Sequence, residues 1–173
     1  MKRRLWCVSL GLLGAALAGG CGRTPGAGDA NRAAPDLVGA WRATLQFRNG
    51  PFAAVKDLEF MYVFNAGGTM TESSNYDGAP PVPPAYGIWR RVGRNEFEAK
   101  YEFYMTKAPA GLGDFTTGGG WLPAGRGVFS ETITVSNDGK TFTSTIRYEA
   151  FDQGGESIAG RGDAKARGTR LAF

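Results

Sequence analysis

The stretch LVGAWRATLQF, residues 37–47, decides the fold. Trp41, Ala43, Leu45 and Phe47 share one face, and Arg42, Thr44, Gln46 and Arg48 share the other. A period of two is the signature of a strand with one buried and one wet face, because successive Cβ atoms point to opposite sides of the pleat. The alternation returns downstream. In 96–105, Phe97, Ala99, Tyr101, Phe103 and Met105 oppose Glu96, Glu98, Lys100, Glu102 and Tyr104. In 141–150, Phe142, Ile146 and Tyr148 oppose Thr141, Thr143, Thr145, Arg147 and Glu149.

Further strands are expected over 57–65, 69–75, 86–93, 126–136 and 156–170, which brings the count to eight. They are separated by Asn65-Ala66-Gly67-Gly68, Gly93-Arg94-Asn95, Asn137-Asp138-Gly139 and Asp152-Gln153-Gly154-Gly155, and such sequences supply the positive φ that tight hairpins need. No segment after residue 36 has the period of an amphipathic helix. Eight strands joined in order, mostly by short hairpins, favour a closed antiparallel up-and-down β-barrel over a sandwich, because a sandwich needs longer crossings and a flat meander leaves two bare edges. Two connections are long: the proline-rich 76–85 and the glycine-rich 108–125, which carries Phe115, Trp121 and Leu122. Long loops without structure of their own are typically functional, which makes Phe115 and Trp121 candidates for a hydrophobic lid or for pins that hold the loop to the barrel.

Upstream of this pattern lies a targeting segment. MKRR is a basic n-region, LWCVSLGLLGAALA an apolar h-region, and AGGC a run of small residues before Cys21. The apolar run is shorter than the ~20 residues a spanning helix needs and has the layout of a signal peptide. Ala16-Leu17-Ala18 fits ordinary signal cleavage, whereas Ala18-Gly19-Gly20-Cys21 resembles a bacterial lipobox with Leu17 one place too early. Residues 22–36, rich in Gly, Ala and Pro, read as a tether and favour lipidation at Cys21. The expected organisation is therefore signal peptide 1–21, flexible tether 22–36 and barrel domain 37–173. The protein is expected to be exported, either anchored in the cell envelope through Cys21 or secreted.

Both cysteines, Cys7 and Cys21, fall within that leader, and the chain has no histidine. The barrel domain thus has no thiol chemistry and no histidine to ligate a metal or heme. Three of the twenty bases also lie in the leader, and the remaining seventeen face sixteen acids. A mature chain so nearly neutral, with its bases dispersed, is not a nucleic-acid binder. Nucleophile elbows, catalytic triads and phosphate-cradling loops are absent, so no cofactor is called for.

Gly39-Ala40-Trp41 at the start of the first strand resembles the G-x-W signature of lipocalins and the wider calycin superfamily. GGTMTES, YGIWRRVG, NEFEAKYEFY and SNDGKTFTSTIRYEAFD extend the likeness to bacterial lipocalin-like exported proteins over 37–172. The resemblance implies that Trp41 closes the narrow end of the barrel under a late arginine, Arg167 or Arg170. The lipocalin T-D-Y motif, flanking helix and disulfide are missing.

The last strand presents Ile158, Gly160, Gly162, Ala164 and Ala166 on its apolar face, a wall of small side chains. Beside it there is room for a ligand cavity lined by Phe60, Phe64, Tyr101, Phe103, Phe129, Ile133, Phe142 and Tyr148, unless the large rings fill that room themselves. Glu131 stands on the apolar face of its strand with Phe129 and Ile133. It either receives a polar group of the ligand, sits in water near the mouth, or is turned outward by a bulge. Glu72 raises the same question, and whichever of Arg90 and Arg91 points inward is expected to pair with one of these acids or to bind an anionic head group of a ligand. Three functions follow: binding of a small hydrophobic or amphipathic molecule, catalysis on a hydrophobic substrate by Glu131, Tyr101 and Tyr148, or a ligand-free envelope interaction through the long loops.

Overall fold

The computed structural model describes residues 33–76, 83–111, 113 and 121–173. The leader, with Cys21, most of the tether, and Phe115 lie outside the described residues. Eight strands follow in order: β1 (Gly39–Phe47), β2 (Leu58–Phe64), β3 (Thr69–Ser74), β4 (Ala85–Arg91), β5 (Glu96–Lys107), β6 (Leu122–Val135), β7 (Thr141–Phe151) and β8 (Ser157–Arg170). Each pairs antiparallel with the next and β8 returns to β1, so the sheet closes into a barrel with no free edge. The expected all-β up-and-down barrel is what the chain forms.

Strand positions match the alternation to within a few residues. The largest difference is at β6, which begins at Leu122 rather than at 126. Beyond a bulge between Met105 and Thr106, the β5–β6 ladder resumes and continues to Lys107 and Leu122, which shortens the glycine-rich connection. The Asn137-Asp138-Gly139 turn works as its chemistry dictates. Gly139 sits at φ 70°, and Asp138 accepts hydrogen bonds from Ser136 Oγ at 2.6 Å and Lys140 N at 3.0 Å.

One end is sealed. Trp41 is fully buried, donates its indole N–H to Leu37 O at 2.8 Å and packs edge-on against Phe142. The Arg170 guanidinium lies 4.2 Å from the indole centroid and donates to the carbonyls of Val38, Asp36 and Gly139. Arg167 does not share this role. It lies one off the inward parity of Ala164, Ala166, Gly168 and Arg170, so it faces out, level with Thr44 and Thr143.

Arg91 covers the same end. It sits 4.4 Å from the Phe97 centroid and donates to Pro35 O at 2.9 Å. Arg90 pairs outside the barrel with Glu98 at 2.6 Å. The expected inward arginine partner for Glu72 or Glu131 is therefore corrected: one of the pair caps the closed end and the other is in water.

Candidate functional site at the open end

The other end carries the β1–β2 and β7–β8 turns and the described ends of both long connections. The side chains that alternation turned inward fill the barrel from the closed end upward. A Cβ added at Gly168 would lie 2.1 Å from the Phe142 ring, and one at Gly127 2.4 Å from the Phe103 ring. At Gly162 it would lie 3.1 Å from the Phe47 ring. The room expected beside the small residues of β8 is thus taken by Phe142 and Phe47. Small residues on one wall and rings on the facing positions are two halves of one close-packed layer.

Among the described residues an interior cleft of about 30 Å³ lies at the open end, lined by Phe47, Phe52, Leu58, Phe60, Glu72, Ser74, Tyr76, Phe103 and Phe129. That volume holds roughly a water or two. Phe52, from the β1–β2 connection, sits across it like a stopper. Its ring lies 5.2 Å from Phe47, 5.9 Å from Tyr76 and 5.0 Å from Tyr148. Phe129 forms the floor, with Phe60 at 5.7 Å, Phe103 at 5.6 Å and Tyr148 at 5.2 Å. Larger hollows on the outside of the sheet are lined by Thr132, Thr143, Thr145 and Lys165 or by Arg48, Arg90, Glu98 and Arg147. They are open, polar and partly ion-paired surface, and they hold no buried functional group of their own beyond the backs of inward residues.

Below the cleft lies a polar cluster inside the aromatic core. Glu131 faces in, as alternation along β6 requires, and is 3 % exposed. Its Oε2 accepts from Tyr101 Oη at 2.9 Å and Tyr62 Oη at 3.2 Å. Its Oε1 has no partner, and neither does the buried hydroxyl of Ser144. Burial raises the Glu131 pKa to about 7, against the opposing influence of Ser144, Tyr101 and Tyr62; Ser144 lies near enough to favour the anion but short of hydrogen-bond geometry.

Glu72 reaches the cleft from β3, 5 % exposed and with Oε1 unpartnered. Burial, then repulsion from Glu131, raises its pKa to about 8. Burial and Glu131 likewise push both tyrosines well above their ordinary range. Glu72 and Glu131 are the buried charged residues among those described, and no Arg or Lys is buried with them. Near neutral pH, Glu72 is mostly protonated and Glu131 is about evenly divided.

The sequence-derived residues sort by depth. Phe60, Phe103 and Phe129 line the cleft, and Tyr148 borders it against Phe52. Tyr101 and Glu131 form the polar cluster, while Phe64, Ile133 and Phe142 are packed deep. Tyr148 bonds to Met105 Sδ at 3.5 Å rather than joining Glu131.

Sequence reasoning missed Tyr62 and Ser144, although both share inward parity with residues it chose: Tyr62 with Phe60 and Phe64, Ser144 with Phe142 and Ile146. It also missed Phe52, which stands in a connection where no periodicity points. Trp121, the candidate lid residue that is described, is 41 % exposed and does not line the cleft. The sequence matches no protein-family model and no curated protein.

Proposed function

We propose that this chain is an exported, lipid-anchored barrel that takes a small hydrophobic or amphipathic molecule at its open end, with its leader removed at Cys21. The observation that supports it is the cleft itself: aromatic walls converging on one inward carboxyl with a free oxygen, under a stopper borne on a connection. Apolar burial supplies the drive at ~25 cal/mol per Å², and the carboxyl orients the guest. The guest seats by displacing Phe52, because the cleft of about 30 Å³ is smaller than any such molecule. The mechanism is capture.

N-phenyl-1-naphthylamine fluorescence tests the reading: enhancement with the full chain, stronger with Phe52→Ala, is the expected result. A flat titration for both proteins rejects capture at this end. Cys21→Ser is expected to move the protein from the membrane fraction to the soluble one.

A second reading, catalysis on a hydrophobic substrate, is supported by the Tyr62–Glu131–Tyr101 constellation, a carboxyl of raised pKa held by two phenols. Packed rings separate it from the cleft, so capture is favoured.

A further inference from the structure

Two acids, one in the cleft wall and one behind it, are more than the apolar part of capture needs. A greasy guest needs no carboxyl in an aromatic wall, and an unpaired buried acid is costly to keep. Yet Glu72 is 5 % exposed, lines the cleft and leaves Oε1 without a partner. Behind it, Glu131 adds a second acid with a free oxygen. The groups facing Glu72 are Tyr62, its cross-strand partner on β2, Tyr101 on β5, Glu131 on β6, and Ser74 and Tyr76 beyond it along its own chain. Among the described residues no buried lysine or arginine balances them. Arg91 and Arg170, the arginines that cap the closed end, are committed to carbonyls there.

Around the acid stand aromatic rings, and the face that such a ring can turn to a guest carries the negative end of its quadrupole. Phe47, Phe52, Phe60, Phe103, Phe129 and Tyr76 line the same cleft. Among the described residues that line the cleft none carries a positive charge, and its only donors are hydroxyls. An anionic head group meets repulsion and no donor fork. A neutral hydroxyl gains one hydrogen bond. A cation gains a desolvated counter-ion and a cage of ring faces together.

Resting on the reading that the open end takes a small molecule, we propose that this molecule is a hydrophobic organic cation, its ammonium group seated on the Glu72 carboxylate within the aromatic cage. Glu131 supports the seat as a second negative centre held by Tyr62 and Tyr101. Since Glu72 is mostly protonated at rest near neutral pH, seating the cation ionises it, and the displaced proton goes to the buffer.

Three guests with one skeleton test this: 4-phenylbutyl-trimethylammonium, 4-phenyl-1-butanol and 4-phenylbutyrate, titrated calorimetrically into the full chain at pH 7 in phosphate and in Tris. The cation is expected to bind about tenfold tighter than the alcohol, and the anion weaker than either. The apparent enthalpy for the cation should differ between the buffers, reporting proton release, and that for the alcohol should not. Glu72→Gln, which keeps shape and removes the acid at the seat, should cut cation affinity several-fold, leave the alcohol within about twofold and reduce the buffer dependence. Equal affinity for alcohol and cation, or an unchanged cation affinity in Glu72→Gln with native circular dichroism, overturns the cation seat and leaves hydrophobic capture standing. Failure of all three guests to bind, also with Phe52→Ala, removes both.

Discussion

The two ends of the barrel are built from the same materials and finished differently. At the closed end, Trp41 has its N–H bonded to Leu37 O, and the Arg170 guanidinium spreads over three carbonyls while covering the indole. Arg91 does the same over Phe97 with Pro35. From the middle to the open end, the rings are as numerous, but the acids among them keep unpaired oxygens. At the strand ends Arg91 and Arg170 find exposed carbonyls for their donors, whereas the Glu131 carboxyl in mid-barrel finds two phenols. One end therefore adds stability, and the other carries a standing cost that makes sense where a guest supplies the missing partner.

This contrast is open to attack by mutation. Trp41→Ala removes the plug and leaves a void, with an expected loss of about 3–5 kcal/mol in urea unfolding; a loss below 1 kcal/mol would show that the closed end is not the keystone. Arg170→Ala, which abandons three carbonyls and the stacked indole, is expected to cost about 2–3 kcal/mol. The outward Arg167→Ala should stay within ~0.5 kcal/mol and serves as the control.

At the acid cluster the sign reverses. Both carboxyls ionise near 4.5 when unfolded, and at about 7 (Glu131) and about 8 (Glu72) when folded. The folded state thus holds more protons between these limits. Stability from these groups is full below pH ~4.5, falls as pH rises through the folded values by at most about 1.4 kcal/mol per unit for each, and is level above ~8. Glu72→Gln should flatten that slope and stabilise the barrel by about 1–3 kcal/mol at pH 8, read as a higher Tm. A variant less stable than the parent at pH 8 would mean that Glu72 has a partner when ionised. The smaller effect at this end is Phe52→Ala, expected to cost about 1 kcal/mol because the ring is only half-buried, while hydrophobic probe binding rises.

Most of the barrel was legible because period-two alternation is a local property, set by the pleat of each strand. Trp41 and Glu131 on the apolar faces of their strands, and the eight-strand order, follow from counting residues along the chain; Trp41 as plug was what the G-x-W resemblance implied, and that Glu131 stays buried was decided by the fold. Phe52 was not legible, since a connection has no period and its side chain goes where space allows. Nor was the fate of the small-residue wall. Gly and Ala on β8 leave volume, but whether rings or a guest take it depends on the diameter at closure and on the rotamers of Phe47 and Phe142, which sit on neighbouring strands.

The sequence by itself determined which side chains face inward, where the chain turns, and that two acids lie among the apolar residues. Tertiary structure alone decided who meets them. Arg90 and Arg91 looked like natural partners for Glu72 and Glu131, yet the register of β4 against β3 and β5 carried both to the rim or the outside. The physical reason is range: facing direction is fixed by the adjacent peptide units, whereas charge pairing depends on the registers of all eight strands together with closure.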